Sequence, residues 1–122
     1  FGRHSGLDLV NGTVKRLTPK GNDRFKVPQI GWNTVHPPAG SSQKDYWENT
    51  VLRDLGHGSY MYFLHSYVVE PSEESTWLAT TDYCGYSFCS VLKKDNVTGV
   101  QFHPERSGEE GLSIYRSFME EV

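Results

Sequence analysis

Hydrophobic and polar residues alternate along most of this chain, in short runs rich in β-branched and aromatic side chains, which predicts β-strands. The longest run, residues 59–70, is apolar on both faces, so we expect other layers to cover both of them. Residues 82–87 link two runs as a hairpin in which Gly85 can adopt positive φ. The predicted strands cover residues 12–17, 25–35, 59–70, 77–81, 88–92 and 97–102.

A helical period appears only at the end of the chain, over residues 109–122. Ser107 and Glu110 have the spacing of a capping box, which would start this helix. We expect its apolar stripe to pack on the core. The stripe consists of Leu112, Tyr115, Phe118, Met119 and Val122.

The middle of the chain is less regular. Residues 36–47 contain consecutive prolines, glycine and serines, and predict a loop whose length is uncommon unless it is mobile or functional. Asn49 or Thr50 can cap a short helix that runs to Leu55, and the glycines of residues 56–58 would end it.

Composition limits the class of protein. With 122 residues, 36% hydrophobic and 22% charged, the chain is long enough for one small domain with a core. A net charge of −3 without a basic patch argues against nucleic-acid binding, and no apolar run reaches the length of a membrane span. The sequence starts at Phe1 without an initiator methionine or a signal-peptide pattern, which suggests a piece of a longer, cytoplasmic chain. In such a chain we expect Cys84 and Cys89 to be reduced thiols.

A histidine and a carboxylate lie where the strand over residues 97–102 gives way to the last helix. Pro104 biases His103 toward an extended backbone, in which His103 and Glu105 point the same way. A carboxylate on one ring nitrogen leaves the other free as a base, which is the base-and-acid part of a nucleophile–His–acid triad. The same pair also fits an ordinary surface loop.

Other histidines give weaker signals. His65 is more typical of a hydrogen-bonded histidine in a packed strand than of a catalytic one. A metal site made from His57, His65 and His103 has no support in their spacing.

The His-Pro-Glu step also carries a resemblance. Residues 99–105 (GVQFHPE) resemble the signature of the class I, triad-type glutamine amidotransferases. Residues 26–33 (KVPQIGWN), 62–67 (YFLHSY) and 80–85 (TTDYCG) resemble the glutaminase subunit family of imidazole glycerol phosphate synthase, in the right order. The resemblance implies that residues 1–122 are the C-terminal portion of one three-layer α/β domain with a mixed central sheet.

The resemblance implies roles for particular residues. His103 would shuttle protons during glutamine hydrolysis and Glu105 would orient it, while the backbone of Ser66 and Tyr67 would contact the bound glutamine. No cofactor is expected.

A partner surface is implied as well. Trp32, Tyr62 and Arg106 match positions that face a (β/α)8-barrel synthase subunit, which receives the ammonia and makes imidazole glycerol phosphate in histidine biosynthesis. Arg106 stands where the family generally has a lysine, and the two cations differ in geometry.

The attacking cysteine of this family lies on a tight strand-to-helix turn upstream of everything in this chain. Cys84 falls in a hairpin turn and Cys89 in a predicted buried strand, so neither fits that role. We therefore expect the nucleophile-bearing N-terminal portion to be absent, and the chain alone to be inactive with an uncovered apolar face. Two alternatives stay open: a glutaminase that feeds a sugar amidotransferase in surface-polysaccharide synthesis, and a docking module without a nucleophile.

Overall fold

The structure is a computed structural model that describes residues 2–18, 25–41 and 45–121. These ranges contain seven β-strands and one α-helix. No helix in these ranges is both long and apolar enough to cross a membrane. The strands are β1 (Gly12–Arg16), β2 (Gln29–Val35), β3 (Ser59–His65), β4 (Tyr67–Pro71), β5 (Trp77–Tyr83), β6 (Tyr86–Lys94) and β7 (Val97–Val100), and the helix is α1 (Gly108–Glu121).

The strands form two sheets, and every pairing among the described strands is antiparallel. The larger sheet has the order β1-β4-β6-β5, with β7 also paired to β6, and the smaller one joins β2 to β3. Strand β6 meets β4 at a single register position, Val69 opposite Cys89. This combination of sheets and a helix agrees with the α/β class predicted from the sequence.

The hairpin between β5 and β6 is confirmed, with a two-residue turn. Cys84 and Gly85 have φ of 53° and 82°, the positive pair that a tight hairpin turn requires. The Gly85 N–H donates to Asp82 Oδ1 at 2.9 Å. Glycine adopts this conformation without cost, whereas Cys84 is strained there.

The run over residues 59–70 is two strands in different sheets, so the prediction of one strand is wrong. The extended run is interrupted at Ser66, whose carbonyl accepts a hydrogen bond from the Leu17 N–H at 2.8 Å. The predicted alternation of β3 is present, but its outward face is open to solvent: Tyr60 is 60% exposed and Leu64 42%. The prediction that both faces are covered is therefore wrong for this chain.

The apolar stripe of α1 does not pack on the core either. Met119 is 75% exposed, and Leu112, Tyr115 and Phe118 are also exposed, while Val122 lies outside the described residues. The face turned inward is instead made of small residues and one aliphatic residue, because the helix lies close to its neighbours. That buried face consists of Gly111, Ile114 and Ser117.

The short helix predicted to end at Leu55 is replaced by successive turns. The N–H of Thr50 donates to the Trp47 carbonyl at 3.0 Å, and the N–H of Arg53 donates to the Thr50 carbonyl at 3.1 Å. Burial of Trp47 and Leu52 anchors this segment, and the Trp47 indole donates to the Leu78 carbonyl at 2.8 Å. Tertiary packing has therefore overridden the local helix signal.

Phe63 lies in the centre of the core. Its ring is fully buried and makes edge contacts with Phe88 and Phe102, at centroid distances of 5.9 and 5.7 Å. Phe102 directly precedes His103, so core packing fixes the start of the loop that carries the histidine. Other large buried members of the core are Val35, Val51, Leu52, Met61, Val68 and Val91.

Phe63→Ala should lower the free energy of unfolding by about 3–5 kcal/mol, because it removes a fully buried ring and leaves a cavity. Leu64→Ala, one residue along β3 on the exposed face, should cost less than about 1 kcal/mol. Urea denaturation of both variants checks this pair. Equal losses would show that the two faces of β3 are not distinguished as described.

Candidate functional site

The loop that carries His103 follows β7 and leads into α1. His103 has an extended backbone, with φ −103° and ψ 96°, as Pro104 predicts. Residues Pro104–Arg106 then form one 3-10 turn before α1 begins at Gly108. The strand ends at Val100, two residues earlier than predicted.

His103 and Glu105 are in direct contact. His103 Nδ1 lies 2.8 Å from Glu105 Oε1, so the predicted proximity is confirmed. The predicted reason is wrong, since Glu105 lies in the 3-10 turn and not in an extended segment. The contact fixes the ring and its tautomer and leaves Nε2 to act as a base toward a reacting group.

Glu105 is held as a carboxylate. A hydrogen bond from its own backbone N–H, reinforced by the His103 ring, lowers the pKa of Glu105. Both side chains remain partly exposed.

The predicted capping box is absent. The Ser107 hydroxyl accepts from the Tyr62 N–H at 2.9 Å and donates to the His103 carbonyl at 2.6 Å. Glu110 Oε1 accepts from the Ser59 hydroxyl at 3.0 Å. Both side chains of the expected box therefore bind strand β3, and Ser107 ties the His103 loop to that strand.

His65 is a hydrogen-bonded core histidine, as the sequence favours. Its Nδ1 lies 2.8 Å from the Tyr67 carbonyl and its Nε2 2.8 Å from the side-chain amide of Gln29. Burial lowers the pKa of His65, so the ring stays neutral to lower pH. Among the described residues, no three His, Cys, Asp or Glu side chains gather as a metal site would need.

Both cysteines lie in the described part of the chain, on β6 and at the turn before it. Cys89 is buried as predicted, and its Sγ–H donates to the Val91 carbonyl at 3.3 Å. Burial raises the pKa of Cys89 to about 12, so its thiol is not a thiolate at neutral pH. Cys84 occupies the strained position of the hairpin turn.

Ser66 and Tyr67, the residues expected to contact glutamine, lie where β3 gives way to β4: Ser66 separates the two strands, and Tyr67 is the first residue of β4. The Tyr67 carbonyl accepts from the His65 ring, and the Ser66 carbonyl accepts from the Leu17 N–H. Each carbonyl keeps a second lone pair. Their role toward a substrate stays a prediction.

The three residues predicted for a partner surface come together on the β2–β3 sheet. Trp32 lies opposite Tyr62, with ring centroids 6.0 Å apart, and the Arg106 guanidinium lies 4.7 Å above the Tyr62 ring. Around them is an exposed apolar surface, which we call the outer face. The outer face consists of Ile30, Trp32, Tyr60, Tyr62 and Leu64.

Two residues that position the site were missed from the sequence. Ser107 was assigned to a cap because its spacing to Glu110 fits one, and its tertiary contacts have no local signal. Gly111 is buried in α1, where a Cβ would lie 2.2 Å from the Pro104 carbonyl oxygen. A glycine inside a predicted helix is costly, and that cost was the available signal of a close approach.

The sequence model of the family "Glutamine amidotransferase class-I" matches residues 22–122. The chain is 41% identical over 122 residues to the imidazole glycerol phosphate synthase subunit HisH 1 of Legionella pneumophila (strain Paris), covering 98% of this chain and 56% of that relative. It is 42% identical over 121 residues to the HisH subunit of Chlorobaculum tepidum, covering 98% and 54%. The chain spans about half the length of the curated relatives it matches.

Gly111→Ala should destabilise the protein by about 1–3 kcal/mol, because the added methyl overlaps the Pro104 carbonyl and must push the 3-10 turn away from α1. The direction is the reverse of that in an exposed helix, where alanine is about 1 kcal/mol better than glycine.

The matched control is Ser113→Ala, at a half-buried position whose hydroxyl donates to the Glu110 carbonyl of the same helix; it should change the free energy of unfolding by no more than about 0.5 kcal/mol. Thermal or urea denaturation measures both. A Gly111→Ala protein as stable as the wild type would contradict the close packing of the turn on α1.

Proposed function

The chain belongs to the class I glutamine amidotransferase family, and on this basis we propose that it is the C-terminal portion of a glutaminase that hydrolyses glutamine to glutamate and ammonia. The observation that carries the proposal is the 2.8 Å contact between His103 Nδ1 and Glu105. It supplies an oriented base with a free Nε2, which this reaction requires.

The reaction needs a cysteine from the nucleophile-bearing portion of the domain. His103 takes the thiol proton, and the thiolate attacks the carbonyl carbon of the glutamine side-chain amide. Collapse of the tetrahedral intermediate breaks the C–N bond, with His103 giving the proton to the leaving ammonia, and forms a thioester. His103 then takes a proton from water, which attacks the thioester and releases glutamate and the thiol.

Glu105 acts through His103. Its carboxylate stabilises the imidazolium that forms at each proton transfer and keeps Nε2 pointed at the reacting atoms. Ser66 and Tyr67 would provide backbone contacts to the bound glutamine, while N–H groups beside the nucleophile would stabilise the oxyanion.

We assign residues 1–122 to one part of a single domain whose nucleophile-bearing N-terminal portion lies outside this chain. The greater length of the relatives supports this division. So do the chemistry of Cys89, a buried thiol, and the exposed apolar stripe of α1, which a further part of the domain would cover.

The proposed recipient of the ammonia is a synthase subunit with a (β/α)8 barrel, making imidazole glycerol phosphate in histidine biosynthesis in the cytoplasm. The relatives that the chain matches are subunits of imidazole glycerol phosphate synthase, which supports this acceptor. The outer face has the composition expected of a binding surface for such a partner, since aromatic residues and arginine typically contribute most of the binding energy at an interface. Trp32, Tyr62 and Arg106 would form its centre.

His103→Ala in the complete protein should reduce ammonia release by at least about 10³-fold, since the base for both proton transfers is lost. Glu105→Gln should reduce it about 10²-fold or more, because the tautomer and the orientation of the ring are no longer fixed. A coupled glutamate assay measures both.

The control is His57→Ala, on an exposed turn outside the site, which should keep wild-type turnover. Circular dichroism establishes that the variants are folded. Wild-type turnover of His103→Ala would refute the assignment, and ammonia release by residues 1–122 alone would show that Cys84 or Cys89 attacks.

Trp32→Ala should weaken binding of the synthase subunit by about 10-fold or more, since a large exposed ring at the centre of an interface typically contributes over 1 kcal/mol. Val14→Ala, which removes an exposed apolar side chain from the other sheet, is the control and should leave binding unchanged. Titration calorimetry measures both affinities. Selective binding to a sugar amidotransferase instead would contradict the proposed acceptor.

A further inference from the structure

We propose that Ser107 is a positioning residue for catalysis, which holds the main chain of His103 in register with the edge of strand β3. The inference rests on the proposed glutaminase function for its effect on turnover. Its structural content, the control of the His103 ring by a hydroxyl four residues away, can be tested without that function.

The observation is a closed circuit of three hydrogen bonds between two backbone segments. The His103 N–H donates to the Tyr62 carbonyl at 2.9 Å, and the Tyr62 N–H donates to the Ser107 hydroxyl at 2.9 Å. The Ser107 hydroxyl closes the circuit by donating to the His103 carbonyl at 2.6 Å. The hydroxyl therefore takes the place of a neighbouring strand along this edge of β3.

Burial makes the circuit specific to a hydroxyl. Ser107 is only 3% exposed, so its loss would leave the Tyr62 N–H unpaired and would remove a bond from the His103 carbonyl, with little access for water to replace either. An alanine of nearly the same size keeps the packing but can neither accept nor donate.

The other contacts of the loop do not fix its position relative to strand β3. Glu105 holds the ring of His103 at Nδ1, but it lies in the same turn, so this contact does not fix the turn relative to β3. Gly111 lets the turn pack closely on α1, which limits the position of the turn on the side of the helix and not along β3. Arg106 contacts β3 at the exposed Tyr62 ring, whereas the Ser107 hydroxyl binds the main chain of β3, the strand whose inward face is packed into the core through Phe63.

The test compares two buried serines in the complete protein. Ser107→Ala should lower kcat for glutamine hydrolysis at least about 10-fold with KM changed less than about 3-fold, since a shift well below 1 Å at the base misaligns proton transfer. Ser117→Ala is the matched control: its hydroxyl is fully buried and donates to Asp54 at 3.0 Å, away from His103.

Both variants lose a buried hydroxyl, so both should lose stability, and kinetics are measured where urea titration shows each fully folded. Unchanged kcat for Ser107→Ala would overturn the proposal. Equal loss of kcat in both variants would overturn it too, because the loss would then follow from removing either buried hydroxyl and would not be specific to the His103 loop.

A second readout does not depend on activity. In wild-type protein labelled with ¹⁵N-histidine, the neutral form of the His103 ring should show one tautomer with the proton on Nδ1, as its bond to Glu105 requires. Ser107→Ala should mix the tautomers or broaden the His103 signals, while Ser117→Ala should leave them unchanged.

If the wild type releases no ammonia, the proposed function fails, and the NMR comparison still decides the role of Ser107. Identical His103 spectra in wild type and Ser107→Ala would overturn it. Partial recovery of the wild-type spectrum in Ser107→Cys, which keeps a weak donor and acceptor of similar size, would support it.

Discussion

The edge of strand β3 is the constraint on which the arrangement of the site depends. One side of that strand pairs with β2, and the other accepts and donates hydrogen bonds through the His103 backbone and the Ser107 hydroxyl. An edge strand left open is a liability in a folded protein. Here the open edge is closed by the loop that carries His103, so the same hydrogen bonds satisfy the backbone of β3 and position the histidine.

The two faces of β3 also connect different parts of the structure, because side chains alternate along the strand. Met61, Phe63 and His65 point into the core, whereas Tyr60, Tyr62 and Leu64 point out. One seven-residue strand thus contacts the hydrophobic core, the proposed catalytic loop and the proposed partner surface. A displacement of β3 would reach all three, and the close packing of the Phe63 and His65 rings in the core leaves little room for one.

The features that could be predicted from the sequence depend on residues that are close together along the chain. The β5–β6 hairpin depends on two turn residues, and the proximity of His103 to Glu105 depends on three consecutive positions, so both were accessible from the sequence. The capping box failed because Ser107 has a better tertiary acceptor and donor in β3 and its own loop. Only the folded chain brings Tyr62 beside Ser107, 45 residues apart.

The helix stripe and the outer face show a different limit. Periodicity identifies which side of an element is apolar but does not identify what covers it. In this chain the apolar stripe of α1 and the outer face are both exposed. The exposure of the outer face has an optical consequence. Of the three tryptophans, Trp47 is buried and Trp77 half-buried, whereas Trp32 is 57% exposed beside Tyr62. The chain therefore carries a fluorophore on the outer face itself, and a blue shift of its emission would report the moment that water leaves that surface.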